Sequence, residues 1–268
     1  MQISGVRTHI FLSGREVLRC PRLWIESRRH APLPRAGVTL PDPKGELAQS
    51  VSAGDAMEIR LGYRDKAPTS WVGTVMWTRP GETPDQIEVG AAHTQALLLD
   101  STLVTQAWMD ETAEAIVRWA VGQTGLAIAQ IDSPGCTLPR CNVSTIPAWQ
   151  VARQVAHSAE RACGVDMSAW ALWLGADGVH WGDHDEDGDV PVIATGAGLI
   201  RHAPASDAAG LNEVETFLLP DFSHSRLFKL TDNRRGVSGS FRALAVRHEV
   251  TGSKARTYIQ YGVEHGQY

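Results

Sequence analysis

The sequence predicts a mostly-β α+β fold, with two strand-rich halves, barrels or sandwiches, flanking a small two-helix α/β segment. Three observations predict it. Apolar residues alternate with period two through most of the first hundred residues and again after residue 170. Between residues 110 and 163 the spacing changes to that of amphipathic helices. Turn signals such as Ser13-Gly14, Pro80-Gly81 and Asp177-Gly178 punctuate the strands.

In chain order, "THIFLSGREVLRC" predicts two strands around Ser13-Gly14-Arg15, and "RLWIES" a third. Residues 30 to 44 hold four prolines and Gly37 without periodicity, which predicts a long loop or arm. "GDAMEIRLGY", "SWVGTVMW" and "DQIEVGAAH" read as further strands. A helix follows, with Ala113, Ile116, Val117 and Ala120 as its apolar stripe, Asp110 as its expected cap and Gly122 or Gly125 as its stop. A second helix is expected from about Pro147 to Cys163, burying Ala152, Val155, Ala156, Ala159 and Cys163 and ending at Gly164. "ALWLGADGVHW" predicts a hairpin at Asp177-Gly178, with Trp173 and Leu172 on opposite faces. Four strand-like runs close the chain: "EVETFLLP", "RLFKLTD", "SFRALAVRHEV" and "ARTYIQYGV".

Composition narrows the function. With 43% apolar and 21% charged residues the chain is an ordinary globular one, and nine tryptophans supply core and interface rings. A formal charge of −5 argues against a phosphate-gripping surface. The small clusters Arg28-Arg29-His30 and Arg234-Arg235 are expected to be solvated loop charges. No apolar run reaches the ~20 residues that a spanning helix needs. Met1 to Leu12 has no leader-like apolar stretch, so Cys20, Cys136, Cys141 and Cys163 are expected to be reduced thiols.

The candidate sites weigh as follows. Cys136 and Cys141 have a zinc-like spacing but lack a second pair. Asp183, Asp185, Asp187 and Gly188 match the first half of a calcium loop, which then fails at Ala194, where a bidentate glutamate belongs. The run Asp183–Asp189 is therefore expected to be a solvated acidic turn, with a weak or shared calcium site as the alternative. His180 and His184 with Asp183 suggest zinc, but four residues along a hairpin arm should set the imidazoles far apart. Gly196 and Gly198 lack the third glycine of a nucleotide fingerprint, because Arg201 stands there. Asp221, Ser223 and His224 have no nucleophile elbow around them. His248 is expected to be a hydrogen-bonded core residue. No catalytic, cofactor or metal residue is assigned, and the chain is expected not to be an enzyme.

One stretch carries a resemblance. Gly54, Asp55, Met57, Ile59, Leu61, Gly62 and Tyr63, then Trp71, Gly73 and Val75, follow a pattern similar to that of tailed-phage baseplate hub proteins, the late-control-protein family. The hairpin near Gly14, the helix ending "VGQTGL", the helix over 147–163, the Asp177-Gly178 hairpin and the closing "GSFRALAVRHEVTGSKARTYIQYG" fall in the order expected of that family. The resemblance implies two tube-type β-barrel domains, over 1–105 and 169–268, with the helical segment over 106–168 between them and strands exchanged between the barrels. It implies a homotrimeric, pseudo-sixfold ring joining the tail tube protein to the central spike protein and other baseplate proteins, in the virion, after assembly in the bacterial cytoplasm. DNA would pass through the channel without specific binding, and an acidic chain suits that passage. The rival expectations are a tail-tip cell-wall hydrolase, the hub part of a contractile secretion system, and a calcium-binding module.

Overall fold

The computed structural model describes residues 5–207 and 210–264. Val6–Leu12 (β1) turns back onto Arg15–Val17 (β2) through Ser13 and Gly14, with φ of 49° and 78°. Left-handed backbone at both central positions matches the natural twist of a two-residue hairpin. Arg22–Arg28 (β3), Ala31–Pro41 (β4), Glu46–Ser50 (α1), Ala56–Tyr63 (β5), Thr69–Pro80 (β6), Gln86–His93 (β7) and Thr94–Ser101 (α2) complete the first part.

The middle part comprises Leu103–Thr112 (β8), Ala113–Gly122 (α3), Ile128–Ile131 (β9), Thr137–Pro147 (β10), Ala148–Cys163 (α4), Ala171–Leu174 (β11) and Val179–Gly182 (β12). Val192–Thr195 (β13), Gly198–Ala203 (β14), Asn212–Phe217 (β15), Leu227–Asp232 (β16), Val237–Arg242 (β17), Ala245–Thr251 (β18) and Ala255–Tyr261 (β19) form the last part.

The mostly-β α+β class holds, but the pairing differs from two closed barrels. Fourteen strands form one open sheet in the order β17-β16-β13-β14-β15-β19-β18-β3-β4-β7-β6-β5-β1-β2. The join is β18, which pairs antiparallel with β19 on one edge and with β3 on the other. With both edges of β18 occupied, the last part continues into the first instead of closing on itself. Small sheets β8-β10 and β11-β12-β9 stand apart.

The expected loop over 30–44 is mostly strand. Pro32, Leu33 and Pro34 fall where β3 and β4 lose register, between Glu26 and Arg28, and pairing with β7 begins only at Arg35. Pro41 lies at the strand's end. Missing N–H groups are therefore confined to an irregularity and a terminus, where a ladder tolerates them. Tryptophans lie flat against glycines across this sheet. Trp24 pairs with Gly37 and Trp77 with Gly90, and a Cβ on Gly37 would meet the Trp24 ring at 2.5 Å.

Three apolar cores result. The first joins Ile10, Leu40, Met57, Ile59 and Val89, and takes in Leu218 from the last part. The second gathers α3, α4 and the β11–β12 hairpin around Ile116, Val151, Val155, Val179 and Trp181. The third is built on Val214, Phe228, Leu230, Val246 and Ile259.

Helix α3 is capped by Thr112, whose hydroxyl accepts from the Ala115 N–H; the expected cap, Asp110, lies inside β8 at φ 51°. Helix α4 starts after Pro147 and ends at Gly164 in the left-handed region, φ 68°. Its expected buried residue Cys163 is instead exposed and bonded to buried Cys136. That disulfide corrects the expectation of four reduced thiols: the end of α4 brings Cys163 beside the start of β10, while Cys20 and Cys141 stay free. No helix among the described residues is long and apolar enough to cross a membrane.

Candidate functional site: an ionic junction between the three cores

The β3–β4 turn carries Arg29, which is fully buried. Expected to be a solvated loop charge, it instead ties all three parts together. Its backbone N–H donates to the Leu244 carbonyl beside β18. Its guanidinium donates to the Ala169 and Gly182 carbonyls at 3.0 Å and to the His184 carbonyl at 3.3 Å, all in or beside the β11–β12 hairpin. It also donates to Ser225 Oγ at 2.9 Å and Glu264 Oε2 at 3.2 Å in the last part. Its carbon lies 4.5 Å from the centre of the Trp173 ring. A planar fork of five N–H donors is the side chain suited to so many acceptors. Burial, then the charge of Arg242, pushes its pKa down to about 10, so it stays charged at neutral pH.

The acidic run from 183 to 189 is not a free solvated turn. Arg242, at the end of β17, donates to Asp183 Oδ1 at 2.7 Å, to the Asp183 carbonyl at 2.6 Å, to Asp185, and to Glu264 Oε1 at 2.8 Å. Arg226 donates to the Asp189 and Asp221 carbonyls. Burial opposes the charge on Arg242, yet its bonds to Asp183 and Asp185 outweigh that and hold it protonated more firmly than usual. At Glu264, burial favours the acid form, but His30, Arg29 and Arg242 prevail and lower its pKa. Arg242 thus takes Asp183 and Asp185, two of the three carboxylates of the calcium-like run. Among the described residues no group of three or more side chains is arranged to hold a metal.

The two histidines of this segment are not far apart. His180 sits on β12 and His184 just beyond it, where the chain folds back. His180 Nδ1 and His184 Nε2 are 3.1 Å apart. Their other nitrogens face Asp177 at 2.7 Å and Asp132 at 2.5 Å. Asp132 arrives through the parallel pairing of β9 with β12, a contact with no local signature in the sequence. Trp173 is the cross-strand partner of His180 and stacks on it, centroids 5.1 Å apart and planes 7° apart. Gly175 and Gly182 flank the row, and a Cβ at Gly182 would fall on the Asp132 carboxylate.

The other candidates go to separate partners. His224 bonds Ser225, Ser223 bonds Glu186, and Asp221 bonds Thr69, so no triad forms. Burial, then Arg29 and His30, pushes His224 down to about 3. His248 is buried, with one ring nitrogen on Thr257 Oγ1 and the other on the Phe222 carbonyl, and burial pushes it down to about 4. Gly196 and Gly198 turn the chain between β13 and β14 at φ 81° and 94°. Arg235 reaches Asp232, which also holds buried His202, and His202 in turn meets the Tyr261 hydroxyl. Arg29, the organiser of the junction, gave no periodic or spacing signal; only its place at the tip of a turn between two strands sets it apart.

No protein-family model matches the chain, and no curated protein matches its sequence. Solved structures do match its fold. A tail protein from Neisseria meningitidis aligns over 97% of both chains at TM-score 0.68 and 12% identity. The 43 kDa tail protein of prophage MuSo2 from Shewanella oneidensis aligns over 95% of both at TM-score 0.68 and 10% identity. An Escherichia coli component of the type VI secretion system aligns over 94% of this chain and 76% of its own at TM-score 0.59 and 7% identity. The chain has the fold of these tail and secretion-system proteins.

Proposed function

We propose that this chain is a structural hub of a phage or prophage tail, a homotrimer whose pseudo-sixfold ring joins the tail tube to the central spike. One observation carries the reading: a tail protein shares the fold over 97% of both chains. The division into units over 1–105, 106–168 and 169–268 is part of the proposal, the first and last being the tube-like repeats.

The junction suits such a part. Its arginines and carboxylates pair with one another and tie the three cores together. A ring of three closes heterologous interfaces without growing into a filament. Its work is assembly and not turnover; its partners are the tube, spike and other baseplate proteins, its place the virion after assembly in the bacterial cytoplasm, and the passing DNA is not specifically bound.

Light scattering and negative-stain imaging test this. A trimer with a sixfold-looking outline supports the hub. A protein that stays monomeric when mixed with the tube and spike proteins from its own locus overturns it, as does clearing of purified cell walls in a turbidity assay. The likeness to a type VI secretion component favours a second reading, the hub part of a contractile secretion machine. Immunolabelling separates the two: label on purified virions supports the tail, and label on secretion sheaths the machine.

A further inference from the structure

The row Asp177–His180–His184–Asp132 brings two ring nitrogens face to face. His180 Nδ1 and His184 Nε2 lie 3.1 Å apart. The opposite nitrogen of each ring is tied to a carboxylate, Asp177 Oδ1 at 2.7 Å and Asp132 Oδ2 at 2.5 Å. A carboxylate behind each imidazole is the arrangement that orients histidine ligands on a metal. The spacing fits as well. Two nitrogens 3.1 Å apart can both sit about 2.1 Å from one ion, at an angle of about 95°. That angle is close to that of neighbouring ligands on a tetragonal ion and short of the tetrahedral value.

We propose that His180 and His184 form a two-histidine chelate for a divalent transition ion of tetragonal preference, Cu²⁺ or Ni²⁺, with Asp177 and Asp132 as the orienting carboxylates and water at the remaining positions. The donor set differs from the one that the sequence suggests. Asp183 is taken by Arg242, and the carboxylate that arrives instead, Asp132, stands behind a ring and not on the ion. Only two side chains ligate, in keeping with the lack of any group of three among the described residues. Imidazole nitrogen suits such an ion, whereas calcium takes oxygen. The bond between the two rings is exchanged for two bonds to the metal.

The surroundings hold both rings in position. Trp173 stacks on His180 with planes 7° apart, and its centre lies 4.8 Å from that of His184. Gln130 donates to Asp132 Oδ1 at 2.7 Å, and Arg29 to the His184 carbonyl at 3.3 Å. A Cβ at Gly175 would meet His180 Nε2 at 2.9 Å, and one at Gly182 would meet His184 Nδ1 at 2.7 Å. Neither position can carry a side chain without displacing a ligand. His180 is buried, while His184 and Asp132 are partly exposed, which gives water and an ion a way in. The two carboxylates offset the charge of the ion, and Arg29, the cation over Trp173, is paired with Glu264.

The test uses the full chain without an affinity tag, treated with chelator, and Cu²⁺ or Ni²⁺ alone as the probe. Calorimetry is expected to find one tight site per chain. His180→Gln and His184→Gln should each weaken it by at least about tenfold, since a chelate is lost with either arm, and Asp132→Asn by about tenfold through the misplaced ring. His157→Gln, on the exposed face of α4, is expected to bind as the wild type does. Electron paramagnetic resonance of the Cu²⁺ complex should show two ring nitrogens on the ion. In ¹⁵N spectra of the wild type, Cu²⁺ should first broaden the amides around Asp132, Trp173 and the segment from 179 to 185. No binding, binding that survives both single histidine variants, a complex with fewer than two ring nitrogens, or broadening centred elsewhere would overturn the proposal. Resonance and broadening are read on the wild type, so they decide even where a variant fails to fold.

Discussion

Arg29 and Arg242 share one carboxylate: Glu264 receives Arg29 on Oε2 at 3.2 Å and Arg242 on Oε1 at 2.8 Å. One arginine comes from the β3–β4 turn and the other from the end of β17. The glutamate is the last described residue of the chain. The β3–β4 turn, the end of β17 and Glu264 are thereby held at one point, with the acidic loop attached through Arg242.

Removing Arg29 should be the most damaging single change at this point. Arg29→Met leaves Glu264 without one partner and strips donors from the Ala169, Gly182 and His184 carbonyls. Breaking a buried pair from one side costs about 3–5 kcal/mol. Urea unfolding of the wild type and variant measures it. Arg29→Met/Glu264→Gln should cost less than the two single changes together, because the orphaned carboxylate is then gone.

Acid should destabilise the fold through His224 and His248. Both are held neutral, with folded pKa values of about 3 and about 4, against ~6.5 when unfolded. The unfolded chain therefore binds more protons below pH ~6.5, and stability falls as pH drops from there toward the folded values. Each histidine contributes a slope of up to about 1.4 kcal/mol per pH unit. Chemical denaturation between pH 7.5 and 4.5 should show that decline, and His248→Gln should lessen its slope.

Reduction should loosen the middle part. The Cys136–Cys163 bond closes a loop with a sequence separation of 27, for which chain entropy gives about 3–4 kcal/mol. Thermal melts of Cys163→Ser against the oxidised wild type should show a lower midpoint, and reductant should move only the wild type.

Gly37 should not tolerate a side chain. A Cβ there meets the Trp24 ring at 2.5 Å, so Gly37→Ala must push the indole off the sheet, at about 1–3 kcal/mol for overpacking. Gly122, with nothing within 4 Å of an added Cβ, is the control. Tryptophan emission and urea midpoints should shift for Gly37→Ala and stay in place for Gly122→Ala.

What the sequence discloses is what neighbours along the chain decide. The Ser13-Gly14 and Asp177-Gly178 turns, the stripe Ala113–Ala120 and the stop at Gly164 are local, and the structure places each where its chemistry requires. Strand β4 is hidden because its prolines mimic a loop, and only the lost register opposite Glu26–Arg28 makes them tolerable. Cys136 and Cys163 meet only because α4 returns along β10. His180 and His184 meet because the chain folds back after β12, and Asp132 joins them through a parallel strand from another segment. Arg29 looks like any charged turn residue until three separate regions converge on it. Contacts of this kind leave no period behind.

The pairing of β3 with β18 has a temporal consequence. During synthesis the first strands emerge long before their far-end neighbour exists, so a nascent chain carries a bare, ribbon-like edge awaiting completion. That edge stays open to premature association until the closing segment leaves the ribosome. A truncation just before Ala245 should therefore yield inclusion bodies rather than a smaller folded protein.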